Sequence, residues 1–134
     1  MLTETTFTVS GFTPVPVEEA QAPTALGVGV ATMEKLYSGG AEGRSTTLFT
    51  SAFDPERGIG TYVAIESFAG SLDGRAGAFN FAHAATTRGV GRSAEYFTIV
   101  PGSGTGELAG IEGGGSLDID DDGTHRMVFD YTLA

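Results

Sequence analysis

Glu66 and His83 are the two residues of this sequence whose types and spacing could do chemistry. They lie in β-type runs on either side of Asp73-Gly74, a dipeptide typical of a type I′ turn because both residues tolerate positive φ at low cost. A two-residue turn pairs Glu66 with Phe81 and makes His83 its diagonal neighbour, roughly 7 to 8 Å away along the backbone and within reach of long side chains. A carboxylate and an imidazole in an aromatic cavity could act as acid and base, because a low dielectric constant moves both pKa values towards the working pH.

A structural interpretation of the same pair is also open. Polar groups in a protein interior need partners, so Glu66 and His83 could serve only to satisfy each other. Tyr96 is a third candidate catalytic residue, because its hydroxyl group in a lumen could donate a hydrogen bond to a carbonyl ligand. Ordinary core packing with a satisfied hydroxyl group explains Tyr96 as well.

The predicted register divides the hairpin into two faces, since side chains alternate along a strand. One face is aromatic with two ionisable groups and comprises Tyr62, Glu66, Phe68, Phe79, Phe81 and His83. The other face is small and mostly aliphatic and comprises Val63, Ile65, Ser67, Ala69, Ala78, Asn80, Ala82 and Ala84. Neither face is plainly polar, so we expect the aromatic face to line a barrel and the alanine-rich face to pack on a neighbouring subunit. The opposite assignment, with the aromatic side chains at an interface and the alanines in the lumen, also fits.

Beyond this hairpin, six further runs of the chain have the β-branched and aromatic content of strands. They span residues 3–12, 25–37, 42–53, 93–100, 115–120 and 126–133. Prolines at positions 14, 16 and 23 predict an extended loop after the first strand. Turn signals about every 8 to 12 residues are typical of a sandwich or an up-and-down barrel. We therefore predict one all-β domain over residues 1–134, a single closed antiparallel β-barrel of about eight strands with a lipocalin-like shape.

Composition narrows the classes of partner. Lys and Arg together number 7 against 17 Asp and Glu, for a formal net charge of -10, which argues against nucleic acid or an anionic membrane as a partner. The chain has no cysteine and only two histidines, which argues against a metal centre. It shows neither a signal peptide nor a run of about 18 apolar residues, so a cytoplasmic protein is the expectation.

Two motifs resemble cofactor or metal sites but fail on context. Residues 104–109, GTGELA, fit a dinucleotide fingerprint, yet the glycines at 110 and 113–115 forbid the helix that must hold the pyrophosphate. Residues 118–123, DIDDDG, resemble the start of a calcium loop, yet the twelfth position is Phe129 and the flanking segments are strands. The sequence therefore predicts no cofactor and no metal.

Three motifs carry a resemblance to a known family. They are GSLDGR at 70–75, followed by Gly77, Phe79 and His83, then PGSGTGEL at 101–108 ending at Gly110, and FDY at 129–131. Together they resemble the DUF3224 family of small bacterial proteins, from about Ala31 onward. The resemblance implies a β-barrel of the allene-oxide-cyclase-like type. Since the family's function is unknown, the resemblance implies no catalytic residues.

The leading functional expectation is that a homo-oligomer binds a small hydrophobic molecule inside the barrel. The expected ligand-binding residues are Tyr62, Phe68, Phe79, Phe81 and Arg44, and the expected catalytic residues are Glu66, His83 and Tyr96. A cofactor-free isomerase or cyclase acting on an apolar substrate is the alternative, which the resemblance makes plausible because such a cavity can direct a substrate mostly by shape. A barrel filled by its own side chains, acting through its surface, is the third possibility.

Overall fold

Eight antiparallel strands form one sheet that curls into a nearly closed barrel, as predicted. In this computed structural model, which describes residues 1–17 and 21–134, the strands are β1 Leu2–Val15, β2 Val28–Gly39, β3 Ala41–Asp54, β4 Ile59–Leu72, β5 Arg75–Arg88, β6 Arg92–Ile99, β7 Glu112–Ile119 and β8 His125–Thr132. Their order around the barrel is β6-β5-β4-β3-β2-β1-β8-β7. A 3-10 turn, Gly106–Leu108, precedes β7. None of the described residues belongs to a helix long and apolar enough to cross a membrane.

The β4–β5 hairpin has the predicted register. Asp73 and Gly74 both have positive φ, 49° and 81°, and so form a two-residue turn between Leu72 and Arg75. Glu66 consequently lies opposite Phe81. The aromatic face points into the barrel, where Phe81 is completely buried, so the prediction that this face lines the barrel is confirmed.

The first strand is longer than predicted. It continues through Pro14 to Val15, where a loop was expected. Strand β8 pairs with β1 only as far as Phe7, so the second half of β1 is an edge, where a proline deprives no neighbouring strand of a hydrogen bond. Residues 18–20 of the predicted loop lie outside the described residues.

Strands β6 and β7 meet at a seam that completes the barrel without a ladder of backbone hydrogen bonds in the described residues. Two glycines of β7 allow this approach. A Cβ atom on Gly115 would lie 3.1 Å from the ring of Phe97, and one on Gly114 would lie 3.0 Å from the carbonyl oxygen of the same residue. The Phe97 ring therefore closes the seam where side chains on β7 would hold the strands apart.

The barrel end near the Asp73-Gly74 turn is closed by two devices. Asp73 itself accepts hydrogen bonds from the Thr3 hydroxyl at 2.6 Å and the Tyr131 hydroxyl at 2.5 Å, which ties the turn to β1 and β8. The loop between β6 and β7 covers the same end with Leu108 and Ile111, both completely buried. This end is therefore packed solid, and any ligand must enter elsewhere.

The PGSGTGEL motif, residues 101–108, forms most of that covering loop. The part of β5 before Phe81 does not pair with β6, and the loop takes over its hydrogen bonds. The backbone N–H of Ala78 donates to the Thr105 hydroxyl at 3.1 Å, and that of Asn80 donates to the Ser103 hydroxyl at 3.0 Å. The motif thus has a structural role, because it satisfies a strand edge that would otherwise be exposed.

Candidate functional site

The carboxylate of Glu66 lies in the middle of the barrel, and none of its surface reaches solvent. Its Oε1 atom accepts hydrogen bonds from the hydroxyl groups of Tyr37 at 2.6 Å and Ser45 at 2.7 Å. Its Oε2 atom accepts one from Lys35 Nζ at 2.6 Å and lies 2.6 Å from His83 Nε2. Both oxygens therefore have two partners, and the carboxylate has little capacity left for a ligand.

Strand register explains how this cluster assembles. Lys35 and Tyr37 are two residues apart on β2, so both point inward. Lys35 pairs with Ser45 on β3, which in turn pairs with Phe68 on β4, two residues from Glu66. Four strands thus converge on one carboxylate, and its partners come from residues up to 31 positions away in the sequence.

Opposing effects set the pKa of Glu66. Burial raises this pKa, because a low dielectric constant disfavours the charged form. The hydrogen bond from His83 and the positive charge of Lys35 together outweigh burial, so the pKa falls from the usual 4.5 to about 2. The expectation that an apolar cavity brings this pKa towards the working pH is therefore wrong for Glu66. Burial and the Glu66 charge also raise the pKa of Tyr37 well above its usual range. Glu66 is a carboxylate at neutral pH and orients its neighbours.

A chain of hydrogen bonds leads from this carboxylate to the open end of the barrel. The Tyr62 hydroxyl lies 2.7 Å from His83 Nδ1, and Arg92 Nη2 donates to the same hydroxyl oxygen at 3.0 Å. When neutral His83 donates its Nε2–H to Glu66, Nδ1 is left as the acceptor for the Tyr62 proton. Burial raises the pKa of Tyr62, and Arg92 offsets only part of that effect, so the phenol is protonated at neutral pH.

Beyond Tyr62 the lumen opens into a cavity of about 310 Å³, at the end of the barrel away from the Asp73-Gly74 turn. Its apolar walls are formed mainly by Phe12, Phe49, Phe53, Gly60 and Ala85, and its polar lining by Ser51, Thr61, Tyr62, Thr86, Thr87 and Arg92. The Phe49 ring stacks on Tyr62, with centroids 5.3 Å apart and planes 15° apart. The cavity is therefore aromatic on its sides and polar at its floor.

Among the residues that the structure describes, Arg92 is the one cationic residue that lines this cavity. Its Nε donates to Glu95 at 3.1 Å and its Nη2 to Tyr62. A guanidinium group has five N–H donors, and the others have no acceptor in residues 1–17 and 21–134. Arg92 can thus present donors to a ligand while it holds Tyr62 in place.

The structure separates the predicted site residues into four groups, and three of them lie inside the barrel. Glu66 and His83 are in contact, and Tyr62 lines the cavity. Phe68, Phe79 and Phe81 are packed in the solid core and do not line the cavity. Whether any of these residues binds a ligand or acts in catalysis stays a prediction.

Two predicted site residues do not face the lumen. Arg44 is exposed because Ser45, its neighbour on β3, takes the inward position. Tyr96 is 60% exposed, because Phe97 takes the inward position on β6. Phe97 lies opposite the inward-facing His83 in a regular stretch of the β5–β6 pairing, so Tyr96, opposite Ala84, faces outward. The expectation that Tyr96 and Arg44 face the lumen is therefore wrong.

Sequence reasoning missed Lys35 and Arg92. Lys35 is the only lysine of the chain, and its position two residues before Tyr37 on an otherwise apolar inward face was a usable signal. Arg92 is the first residue of β6 and lies one position before the predicted start of that strand, so the predicted strand does not include it. Phe12 and Phe49, on β1 and β3, could be recognised as cavity-lining residues only from the tertiary structure.

The site offers donors, a tyrosine proton and an apolar wall. Within the described residues, no three histidine or acidic side chains come together in a way that could hold a metal ion. What the arrangement can do chemically is bind an acceptor oxygen through the N–H donors of Arg92, and pass a proton between Tyr62 and His83.

Comparison with known proteins agrees with the fold and is silent on function. Residues 3–131 match the family described as "Protein of unknown function (DUF3224)". A crystal structure of a protein of unknown function from the same family, from Shewanella oneidensis MR-1, superposes with a TM-score of 0.82 at 29% sequence identity, covering 100% of this chain and 98% of that one. None of the curated proteins matches the chain.

Proposed function

The chain belongs to the DUF3224 family, whose function is unknown, and we propose that it binds a small, mostly apolar molecule carrying a hydrogen-bond-accepting oxygen in the cavity above Tyr62. The observation that carries the proposal is the combination of aromatic walls with the free donors of Arg92 at the floor. Small-molecule sites are typically concave and mainly apolar, with a few polar groups that fix orientation. A volume of about 310 Å³ is near the lower end of that class and favours a ligand of two or three fused or linked rings at most.

Two matched ligands test the proposal. 2-Ethylnaphthalene and 2-acetylnaphthalene have nearly the same shape, but only the second has an oxygen acceptor. We expect both to raise the unfolding temperature and the acetyl compound to bind at least about tenfold more tightly, which corresponds to about 1.4 kcal/mol for one hydrogen bond to a charged donor. If neither compound stabilises the protein or binds in calorimetry, the proposed cavity function is wrong.

A pair of variants shows where binding occurs. Ser51→Leu places a larger apolar side chain in the cavity wall and should abolish binding of both compounds. Ser38→Leu makes the same substitution at an exposed position on β2, outside the cavity, and should leave both affinities unchanged. Equal affinities in the two variants would place the binding site elsewhere.

A second candidate function is a cofactor-free isomerase, and the Glu66–His83–Tyr62 chain favours it. In this mechanism His83 Nδ1 takes the Tyr62 proton, and the phenolate oxygen then removes a proton from the carbon beside a ligand carbonyl. The enolate oxygen accepts an N–H of Arg92, while the Glu66 carboxylate stabilises the imidazolium. Tyr62 returns the proton to another carbon of the ligand, and His83 restores the phenol, so the atoms and charges balance without a cofactor.

The isomerase candidate can be tested with a β,γ-unsaturated cyclic ketone, whose conversion to the conjugated enone is followed by absorbance. We expect turnover that Tyr62→Phe lowers by at least about 100-fold, the usual contribution of a positioned acid or base. Tyr96→Phe is the matched control, because Tyr96 lies on the outer surface, and it should keep full turnover. No turnover above the buffer rate, or equal loss in both variants, would leave the protein as a binding module.

A further inference from the structure

One outer face of the barrel carries no charge. We call it the neutral face and define it as the outward-facing residues of segments 46–52, 61–69, 78–86 and 96–98, on β3, β4, β5 and β6. No Asp, Glu, Lys or Arg occupies any of these positions, although charged residues make up 18% of the chain and the surface of a small domain normally carries more. We propose that the neutral face is the interface of a two-fold symmetric homodimer.

The centre of the neutral face is apolar and unusually exposed for a single chain. Leu48, Val63 and Ile65 are 53 to 55% exposed, and Tyr96 beside them is 60% exposed. Strand pairing makes them contiguous. Leu48 on β3 lies opposite Ile65 on β4, whereas Val63 on β4 lies opposite Ala84 on β5, which in turn lies opposite Tyr96 on β6. Aliphatic side chains flanked by a tyrosine, with charges absent, form the composition typical of an interface core.

Several polar side chains of the neutral face are already hydrogen-bonded within it. The Thr61 and Thr86 hydroxyl groups are hydrogen-bonded to each other at 2.7 Å. Asn80 Nδ2 donates to the Ser67 hydroxyl at 3.0 Å and to the backbone carbonyl of Glu66 at 3.2 Å. Burying a polar surface is usually unfavourable because some donors lose their partners. Covering these groups with a second protein would leave few donors unpaired.

The area of the face is just large enough for a specific dimer. Its 16 outward positions, on strands about 4.8 Å apart and repeating about every 6.8 Å along each strand, cover roughly 520 Å² on each protomer. Two such faces give roughly 1,040 Å² in total, above the roughly 1,000 Å² that a specific interface needs. Small alanine side chains between the larger aliphatic ones allow two such sheets to approach and interdigitate at the ordinary sheet-packing distance.

Charge selects a second copy of this chain as the occupant. With a net charge of -10, two copies repel each other over most of their surfaces, and the neutral face is the region where that repulsion is least. A basic partner would instead contact acidic side chains, which this face lacks. An uncharged patch also suits a two-fold axis, in which the same surface of both protomers meets and no like charges face each other.

Sedimentation velocity of the full chain tests the proposal, from about 1 to about 100 μM to bracket micromolar association. We expect twice the chain mass of 13.8 kDa at the upper concentrations. The association should strengthen when salt is raised, because salt screens the repulsion between the two acidic protomers. A mass of one chain throughout the range, or any larger assembly than two chains, overturns the proposal.

A matched pair of variants locates the interface. Ile65→Arg places a charge at the centre of the neutral face and should weaken association by at least about 100-fold, since each factor of ten corresponds to about 1.4 kcal/mol. Leu2→Arg makes a comparable change at a position that is 73% exposed on β1, on the other side of the barrel, and should leave the dimer intact. Circular dichroism and thermal unfolding verify that both variants are folded. A dimer that survives Ile65→Arg, or is lost in Leu2→Arg, would show that the neutral face is not the interface.

Discussion

The Tyr62 hydroxyl lies 2.7 Å from His83 Nδ1, and this contact joins the cavity to the buried Glu66 carboxylate. On the cavity side of the contact, Tyr62 shares the floor with Arg92. On the core side, His83 is only 4% exposed and its ring packs against Phe81 and Phe97. Of Glu66, His83 and Tyr62, it is thus Tyr62 that a ligand in the cavity can touch.

Replacing Tyr62 with Phe should separate binding from proton transfer. The cavity keeps its shape, so 2-ethylnaphthalene should bind with nearly unchanged affinity. Binding of 2-acetylnaphthalene should weaken several-fold, because Arg92 loses the hydroxyl that holds it in place. Calorimetry with both compounds measures the difference, and loss of both affinities together would show that Tyr62 serves mainly to shape the wall. Loss of its two hydrogen bonds should also cost about 1 kcal/mol or somewhat more in unfolding free energy.

Replacing Glu66 with Gln should strongly destabilise the fold. The substitution leaves the Lys35 ammonium group buried without a negative partner, and breaking a buried ion pair in this way typically costs about 3 to 5 kcal/mol. Urea unfolding monitored by circular dichroism measures the loss. Glu42→Gln, at an exposed position on β3, is the control and should change stability by less than about 0.5 kcal/mol. Adding Lys35→Met to Glu66→Gln should restore part of the loss, and a further drop would contradict the ion-pair explanation.

Acid should remove the contribution of the Glu66 carboxylate to the unfolding free energy. Its pKa is lowered in the folded state from 4.5 to about 2, so its stabilisation is fully present above about pH 4.5 and is lost as the pH falls towards 2. At 1.36 kcal/mol for each pKa unit, the contribution is about 3 kcal/mol. The unfolding free energy of the wild type should therefore fall more steeply over this interval than that of Glu66→Gln. Parallel curves for the two proteins would show that the Glu66 carboxylate is not preferentially stabilised by folding.

Asp73 has two structural roles, which two substitutions distinguish. Its backbone forms the β4–β5 turn, and its carboxylate accepts the hydrogen bonds that tie this turn to β1 and β8. Asp73→Asn tolerates the positive φ of the turn but weakens the hydrogen bonds from Thr3 and Tyr131, at an expected cost of about 1.5 to 3 kcal/mol. Burial and the Asp73 carboxylate raise the pKa of Tyr131 to about 12, so the substitution should lower that pKa, which ultraviolet titration of tyrosine can follow. Gly74→Ala should strain the turn, where φ is 81°, and leave the Tyr131 pKa near its wild-type value. An unchanged Tyr131 pKa in Asp73→Asn would contradict the hydrogen bond between Tyr131 and the Asp73 carboxylate.

Thr47 offers a stabilising substitution. It lies opposite Glu66 in the β3–β4 ladder, and its hydroxyl is buried without a hydrogen-bond partner in the described part of the chain. An unsatisfied buried hydroxyl costs about 1 to 3 kcal/mol, and valine has nearly the same shape. Thr47→Val should therefore raise the unfolding free energy by about 1 kcal/mol, while Thr46→Val, outward on the same strand, should have a smaller effect. Destabilisation by Thr47→Val in urea unfolding would show that the hydroxyl has an unseen partner.

The hairpin and the candidate site differ in how much of each could be predicted from the sequence. Asp73-Gly74 determines a local turn, and alternation from that turn places every side chain from Gly60 to Arg88 on the correct face. Lys35 and Arg92 reach the same cluster through the pairings of β2 with β3 and of β5 with β6, whose registers the sequence analysis did not predict. Tyr96 shows the limit of alternation, since alternation along β6 does not say which of its two faces is inward, and the pairing of Phe97 with His83 decides it. Local turns were therefore predictable, whereas contacts across several strands required the folded chain.

The burial of the only lysine has a practical consequence for chemical labelling. Lys35 is 4% exposed and its ammonium group is held by Glu66, so an amine-reactive reagent meets only the α-amino group of the intact chain under mild conditions. Acylation of Lys35 requires the barrel to open. Its rate, read by peptide mass spectrometry, would report how often the native protein exposes its centre, and a bound ligand or a second protomer that slows opening would slow that reaction in proportion.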